Sequence, residues 1–171
     1  MKTNTRRVAQ AVILVAIGVA LSPFTSFPIG IAKVNPTQHF VNILAAVLLG
    51  PWWAVATAAI IGILRNALGV GTLLAFPGGM IGALFAGLLY RYLRNVYVAG
   101  LGEIVGTGIV GALVSAWLVA PFLMGQTMAA GILVASFLGS TILGTVLGIL
   151  ALKVLERAGV LELGKEPEQL G

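Results

Sequence analysis

Residues 104–152 read IVGTGIVGALVSAWLVAPFLMGQTMAAGILVASFLGSTILGTVLGILAL, 49 consecutive positions without one Lys, Arg, Asp or Glu. A bilayer core about 30 Å thick takes roughly 20 apolar residues per helix. The run therefore predicts two membrane spans and their connection, one over residues 97–119, ending before Pro121, and one over residues 128–152. Four more apolar segments lie upstream: residues 8–24, closed by Ser22-Pro23 and an irregular stretch through Pro36; residues 38–49, short for a full crossing and broken by Gly50-Pro51; residues 52–68; and residues 79–94. The expected architecture is an all-α integral membrane protein of six transmembrane helices, with residues 1–158 as one domain and residues 159–171 as a short solvated tail on the cytoplasmic side.

Composition agrees. Of 171 residues 59% are hydrophobic and 9% charged, whereas soluble domains carry about 25% charged residues. There is no Asp and no Cys, and only five Glu and one His. Thiolate metal sites, thiol nucleophiles, disulfides and paired-Asp chemistry are thereby excluded, and neither a metal nor another cofactor is expected. Gly69-Val70-Gly71 and Gly100-Leu101-Gly102 lack the Lys of a phosphate loop and a preceding strand, so no ATP site is expected. The net charge of +5 reads as orientation charge beside anionic lipid, with no nucleic-acid partner.

With six spans and the N-terminus inside, eight basic residues are cytoplasmic (Lys2, Arg6, Arg7, Arg91, Arg94, Lys153, Arg157, Lys165) and two are outside (Lys33, Arg65). That division follows the positive-inside rule, and adding or removing one helix would scramble it. Trp52, Trp53, Tyr90, Tyr92 and Tyr97 then form an aromatic belt at the cytoplasmic interface. A cleaved signal peptide over residues 1–22 is the weaker reading, because it leaves Pro23 at the new terminus and an odd helix count.

Polar residues inside spans are costly and mark function by default. His39 and Asn42 share one face of the second helix, with Asn35 and Gln38 leading into them. Arg65 and Asn66 end the third helix. The apolar, Pro-punctuated connection that follows, with Thr72 and Phe76, suits a loop folded over a cavity. Glu103, Thr107, Gly111 and Ser115 form one inward stripe at four-residue spacing, and Glu103 is the one acid between Met1 and Leu155. Unpaired and ionised in hydrocarbon it would cost several kcal/mol, so it is expected in a buried network with His39, Asn42 or Thr107, and with Arg65 directly or through a water or ligand. Each residue also has a structural alternative: Arg65 snorkelling to headgroups, His39 bonded to a helix-end carbonyl, Glu103 bonded to a neighbouring helix. Polar faces of three helices around an outward cavity favour a small-molecule pocket.

Small residues recur every fourth position at Gly78, Gly82 and Ala86, at Ser136, Ser140, Gly144 and Gly148, and at Ala16 and Ala20. Such ridges let helices approach closely. The first two sets are read as packing within the bundle. The third, on a terminal helix, is open to a partner.

The runs Asn35-Pro36-Thr37-Gln38-His39-Phe40-Val41-Asn42, Leu49-Gly50-Pro51, Leu64-Arg65-Asn66, Gly69-Val70-Gly71-Thr72-Leu73-Leu74-Ala75-Phe76-Pro77-Gly78 and Glu103-Ile104-Val105-Gly106-Thr107-Gly108 resemble the ThiW family over residues 5–158. Those proteins are substrate-binding S components of energy-coupling factor (ECF) transporters, associated with uptake of hydroxyethylthiazole, the thiazole precursor of thiamine. The resemblance implies an S-component fold with an outward pocket capped by the loops after helices one, three and five. It also implies a transmembrane T component and two cytoplasmic ATPases as partners, docking through Ala16 and Ala20, and a prokaryotic plasma membrane as location. The substrate-binding residues it and the polar pattern suggest are Asn35, Gln38, His39, Asn42, Arg65, Asn66, Thr72, Phe76, Glu103 and Thr107. An S component for another vitamin such as thiamine is the nearest rival. Further off stand a channel or scaffold and an intramembrane enzyme using Glu103 and His39 as acid and base.

Overall fold

The computed structural model describes residues 2–164, with side chains from Thr5 onward. The chain forms six helices and one hairpin: α1 (Lys2–Thr25), β1 (Phe27–Ile29), β2 (Ala32–Val34), α2 (Pro36–Leu48), α3 (Pro51–Ala67), α4 (Ala75–Leu93), α5 (Val96–Met124) and α6 (Ala130–Arg157). Successive helices alternate direction. The base of the bundle is the end where α1 begins and α6 finishes; the roof is the end carrying the hairpin. Among the described residues three helices, α1 from Thr5, α5 and α6, are long and apolar enough to cross a membrane.

Short α2 sits in the middle. Its thirteen residues rise about 20 Å, less than a bilayer core, yet eleven of them are buried. It packs against α1, α3, α4, α5 and α6, which is why its sequence is apolar on nearly every face. Asn35 caps it: the side-chain oxygen accepts from Gln38 N at 3.0 Å, and Pro36 fills a first-turn position where a missing N–H costs nothing.

Several expected boundaries move. The stretch after α1 is an antiparallel hairpin pairing Phe27 with Val34 and Ile29 with Ala32. Its strands of three residues are too short to show a period of two. Helix α1 continues through Pro23 to Thr25, and the Ser22 hydroxyl bonds back to Gly18 O at 2.5 Å. Helix α4 begins at Ala75, so the α3–α4 connection is shorter than the Gly-rich stretch suggests. Helix α5 runs through Pro121 to Met124 because Ser115–Val119 is π-helical. The wider turn resets the register, so Pro121 enters at the start of a new α segment. Gly125, at φ 61°, then ends it. Helix α6 starts at Ala130 and ends at Arg157, five residues beyond the charge-free run.

The tail also differs from expectation. Leu161 is buried and Leu163 packs on the core at the base, while Gly164 N donates to the Tyr90 hydroxyl at 3.1 Å. Residues 159–164 thus fold onto the bundle. Tyr90 is accordingly buried, not part of an aromatic belt. Lys2 and Lys165, counted as orientation charges, lie outside the described side chains.

The four-residue ridges meet partners. Space at Gly78 and Gly82 on α4 is closed by Thr107 and Glu103 of α5, and Gly106 and Gly111 of α5 abut α4 backbone. Gly144 and Gly148 of α6 face the α2 backbone near Pro36 and Phe40. Ala16 and Ala20 are exposed, while Gly18 between them turns inward against Ile61.

Candidate functional site

Two apolar clusters divide the core. One, toward the base, includes Val41, Ile43, Ile61, Ala83, Ala99 and Leu152; the other, under the hairpin, includes Val34, Leu74, Ala112, Leu133 and Phe137. Along α4, α5 and α6 the polar or small residues Gly78, Gly79, Glu103, Thr107 and Ser140 fall between them in chain order. Glycine ridges on α4 let polar side chains of α5 and α2 come within hydrogen-bond reach of α4 carbonyls there.

Glu103 is the hub, fully buried. Its Oε1 is 2.9 Å from His39 Nδ1, accepts from Asn42 Nδ2 at 2.9 Å, and lies 3.1 Å from Thr107 Oγ1. Asn42 Nδ2 also donates to Gly79 O at 2.9 Å, and its Oδ1 accepts from Gln38 Nε2 at 3.2 Å. Thr107 Oγ1 is 2.9 Å from Gly78 O, so its single proton has two acceptors to choose between. The carboxylate ties α2 to α5, and Asn42 and Thr107 carry the network on to α4 carbonyls, which answers the cost of burying it.

A small cavity adjoins this network on the roof side. It is about 20 Å³ and is lined by Lys33, Val34, Asn35, Gln38, His39, Arg65, Ala75, Gly78, Gly79, Thr107, Phe137 and Ser140. That is room for about one water molecule. Three lining residues carry buried polar atoms with no hydrogen-bond partner among the described residues: Gln38 Oε1, Arg65 Nε and Ser140 Oγ. Native interiors leave few such atoms, and each calls for a reason. No group of three His, Cys, Asp or Glu side chains among the described residues is placed to hold a metal ion.

The roof is clamped by two cations. Lys33 Nζ on β2 donates to Gly69 O in the α3–α4 connection. Buried Arg65 Nη2 reaches Ser26 Oγ at 3.3 Å and Val70 O at 3.4 Å. Arg65 therefore shares the cavity with His39 and Thr107 but makes no direct bond to Glu103, and it does not snorkel outward.

The suggested residues divide into three groups. Asn35, Gln38, His39, Arg65 and Thr107 line the cavity; Asn42 and Glu103 stand directly behind it. Asn66, Thr72 and Phe76 do not line it. Asn66 Nδ2 ties Gly62 O and Thr72 O together at 2.9 and 3.3 Å, and Phe76 fills the space beside Gly62, so these shape the connection. The Asn35 amide is used up within the protein: Oδ1 accepts from Gln38 N and Thr25 Oγ1, and Nδ2 donates to Ser22 and Ser26 hydroxyls, both at 2.8 Å. Lys33, Phe137 and Ser140 were missed. Ser140 belonged to a small-residue ridge, and the signal that separates it from a spacer is its hydroxyl one turn from His39's neighbour Gly144, a contact between distant helices.

Residues 8–158 match the family ThiW, described as thiamine-precursor transporter protein. No curated protein matches the sequence. A solved structure described as the S component of a bacterial ECF transporter superposes with a TM-score of 0.67 at 21% identity, covering 91% of this chain and 96% of that one. At that identity the likeness speaks for the fold.

Proposed function

The chain belongs to the ThiW family of thiamine-precursor transporter proteins, and on that premise we propose that it is the membrane S component of an ECF importer, binding hydroxyethylthiazole from outside at the cavity beside Glu103. Partner subunits, a T component and two ATPases, then power release inside a prokaryotic cell. The observation that carries this reading is the set of unpartnered polar atoms on residues that line one cavity: Gln38 Oε1, Arg65 Nε and Ser140 Oγ. A hydroxyethyl group both donates and accepts, so it can satisfy an amide oxygen and a guanidinium or hydroxyl together. His39, with Nδ1 held by Glu103, has its other ring nitrogen left for the ligand. Phe137 and the glycine faces of α4 give a thiazole ring an apolar seat.

At about 20 Å³ the cavity is closed to a ligand of this size. Entry requires the hairpin and the α3–α4 connection to part, breaking the Lys33–Gly69 and Arg65–Ser26 bonds, and binding re-forms the roof. Glu103 serves as a positioning residue: through Oε1 it holds the His39 ring and the Asn42 amide that faces Gln38. Glu103 stands behind the cavity and does not line it, which disfavours the thiamine alternative, in which a cation pairs directly with Glu103. The transporter family speaks against the enzyme reading, in which Glu103 acts as acid or base.

Mass spectrometry of small molecules released from the purified, denatured protein tests the assignment. Recovery of hydroxyethylthiazole is expected. Recovery of thiamine or another vitamin would replace the ligand, and saturation of none of them in a follow-up titration would remove the S-component reading of this cavity.

A further inference from the structure

Resting on the reading of the cavity beside Glu103 as a hydroxyethylthiazole site, we infer that Arg65 reads the ring nitrogen of the ligand. Its Nε–H donates to the nitrogen lone pair, so the site takes a neutral azole and turns away a ring whose nitrogen is alkylated. Arg65 is 1% exposed. Its guanidinium is held at the roof through Nη2, which reaches Ser26 Oγ and Val70 O. Nε takes no part in either bond and is buried without a partner among the described residues. An unpaired N–H on a buried charged group is costly, and the cost is relieved once a ligand supplies an acceptor.

Matching donors to acceptors decides which atom of the ligand goes where. Three buried lining residues carry orphaned atoms: Gln38 Oε1 can only accept, Arg65 Nε can only donate, and Ser140 Oγ can do both. Hydroxyethylthiazole has one donor, its O–H, and two acceptors, the hydroxyl oxygen and the ring nitrogen. The hydroxyl proton therefore belongs to Gln38 Oε1. Ser140 stands one turn roofward of Gly144, whose open face meets Pro36 and His39 of α2, so Ser140 and Gln38 share the seam between α6 and α2. One hydroxyl on a flexible two-carbon arm serves both, donating to Gln38 and accepting from Ser140. Arg65 enters from α3, which packs on α4, α2 and α1, and its donor is left for the ring nitrogen. Charge points the same way. Lys33 and Arg65 both line the cavity and no acidic residue does. A thiazolium has no lone pair for Nε and brings a positive charge toward two others.

The test is calorimetric titration of the purified full chain in detergent with three ligands of one shape. These are hydroxyethylthiazole, its thiophene analogue with CH in place of the ring nitrogen, and its N-methyl thiazolium. The wild type should bind the thiophene about tenfold more weakly than the thiazole, because Nε stays unpaired. The thiazolium should bind about a hundredfold more weakly, because like charges are brought together as well. Arg65→Lys keeps the charge and lacks the fixed Nε–H. It should bind thiazole and thiophene alike while still rejecting the thiazolium, a change of selectivity that a purely structural role would not produce. Should that variant fail a thermal-unfolding check, the wild-type ligand series decides alone. Equal wild-type affinity for thiazole and thiophene, or preference for the thiazolium, would overturn the ring-nitrogen contact and leave the cavity as the site. Binding of none of the three would remove the ligand assignment, and this contact with it.

Discussion

Glu103 makes the local chemistry of this protein unusually dependent on one atom. Oε1 is within 3.1 Å of groups on His39, Asn42 and Thr107, whereas Oε2 is buried without a partner among the described residues. Glu103→Ala removes the acceptor for two helices at once and should lower stability by about 1–3 kcal/mol for the donors it strands, read as a shift in thermal unfolding in detergent. Glu103→Gln retains the shape but replaces one acceptor oxygen with a donor. It should fold, and bind hydroxyethylthiazole about tenfold more weakly as the His39 ring loses its fixed orientation; calorimetry measures this. Ser140 lines the cavity, so Ser140→Ala should also weaken binding. Thr145 serves as the control: it lies a turn deeper, against Gly100. Unchanged affinity in Glu103→Gln, His39→Ala and Ser140→Ala together would move the pocket elsewhere.

The hairpin and α1 act as whole elements. Hairpin and α3–α4 connection meet through Lys33 and Gly69 and through Arg65 and Ser26. The Lys33 bond is exposed, so it adds little to stability yet stands on the path a ligand takes. Lys33→Met should leave unfolding unchanged and speed ligand release several-fold, with stopped-flow fluorescence as the readout; an unaltered release rate would mean that the roof opens elsewhere. On α1, Ala16 and Ala20 form an exposed strip beside exposed Val12 and Ile13. Replacing both alanines with Leu should keep ligand affinity and abolish ATP-dependent uptake, because a partner helix can no longer approach closely. Normal uptake in that variant would place the T component on another face.

For the molecule as a whole, the alternating helices put Lys33 and Met124 at the roof and Arg94 at the base. The eight-to-two distribution of basic residues predicts that the base faces inward. The natural chain has no cysteine, which makes single-cysteine labelling clean. Cysteines at Lys33 and Met124 should react with an impermeant thiol reagent in intact cells, and one at Arg94 should react only after lysis. The reverse pattern would invert the orientation and turn the cavity beside Glu103 to the inside.

Six helices, the polar residues buried within them and the ridges on α4 and α6 were legible from residue order, because transfer into hydrocarbon is assessed residue by residue along the chain. A run of 49 uncharged residues or a single acid within an apolar segment carries its meaning locally. Pairing is different. Glu103 meets His39 across 64 positions, and nothing local distinguishes that partner from Arg65. Nor does local pattern show that Asn35 spends its amide capping α2 and fastening the hairpin, that Tyr90 turns inward to a folded-back tail, or that a π-helical turn carries α5 past Pro121. Hydrogen bonds need two groups at about 3 Å, and only the packed bundle decides which distant groups come that close.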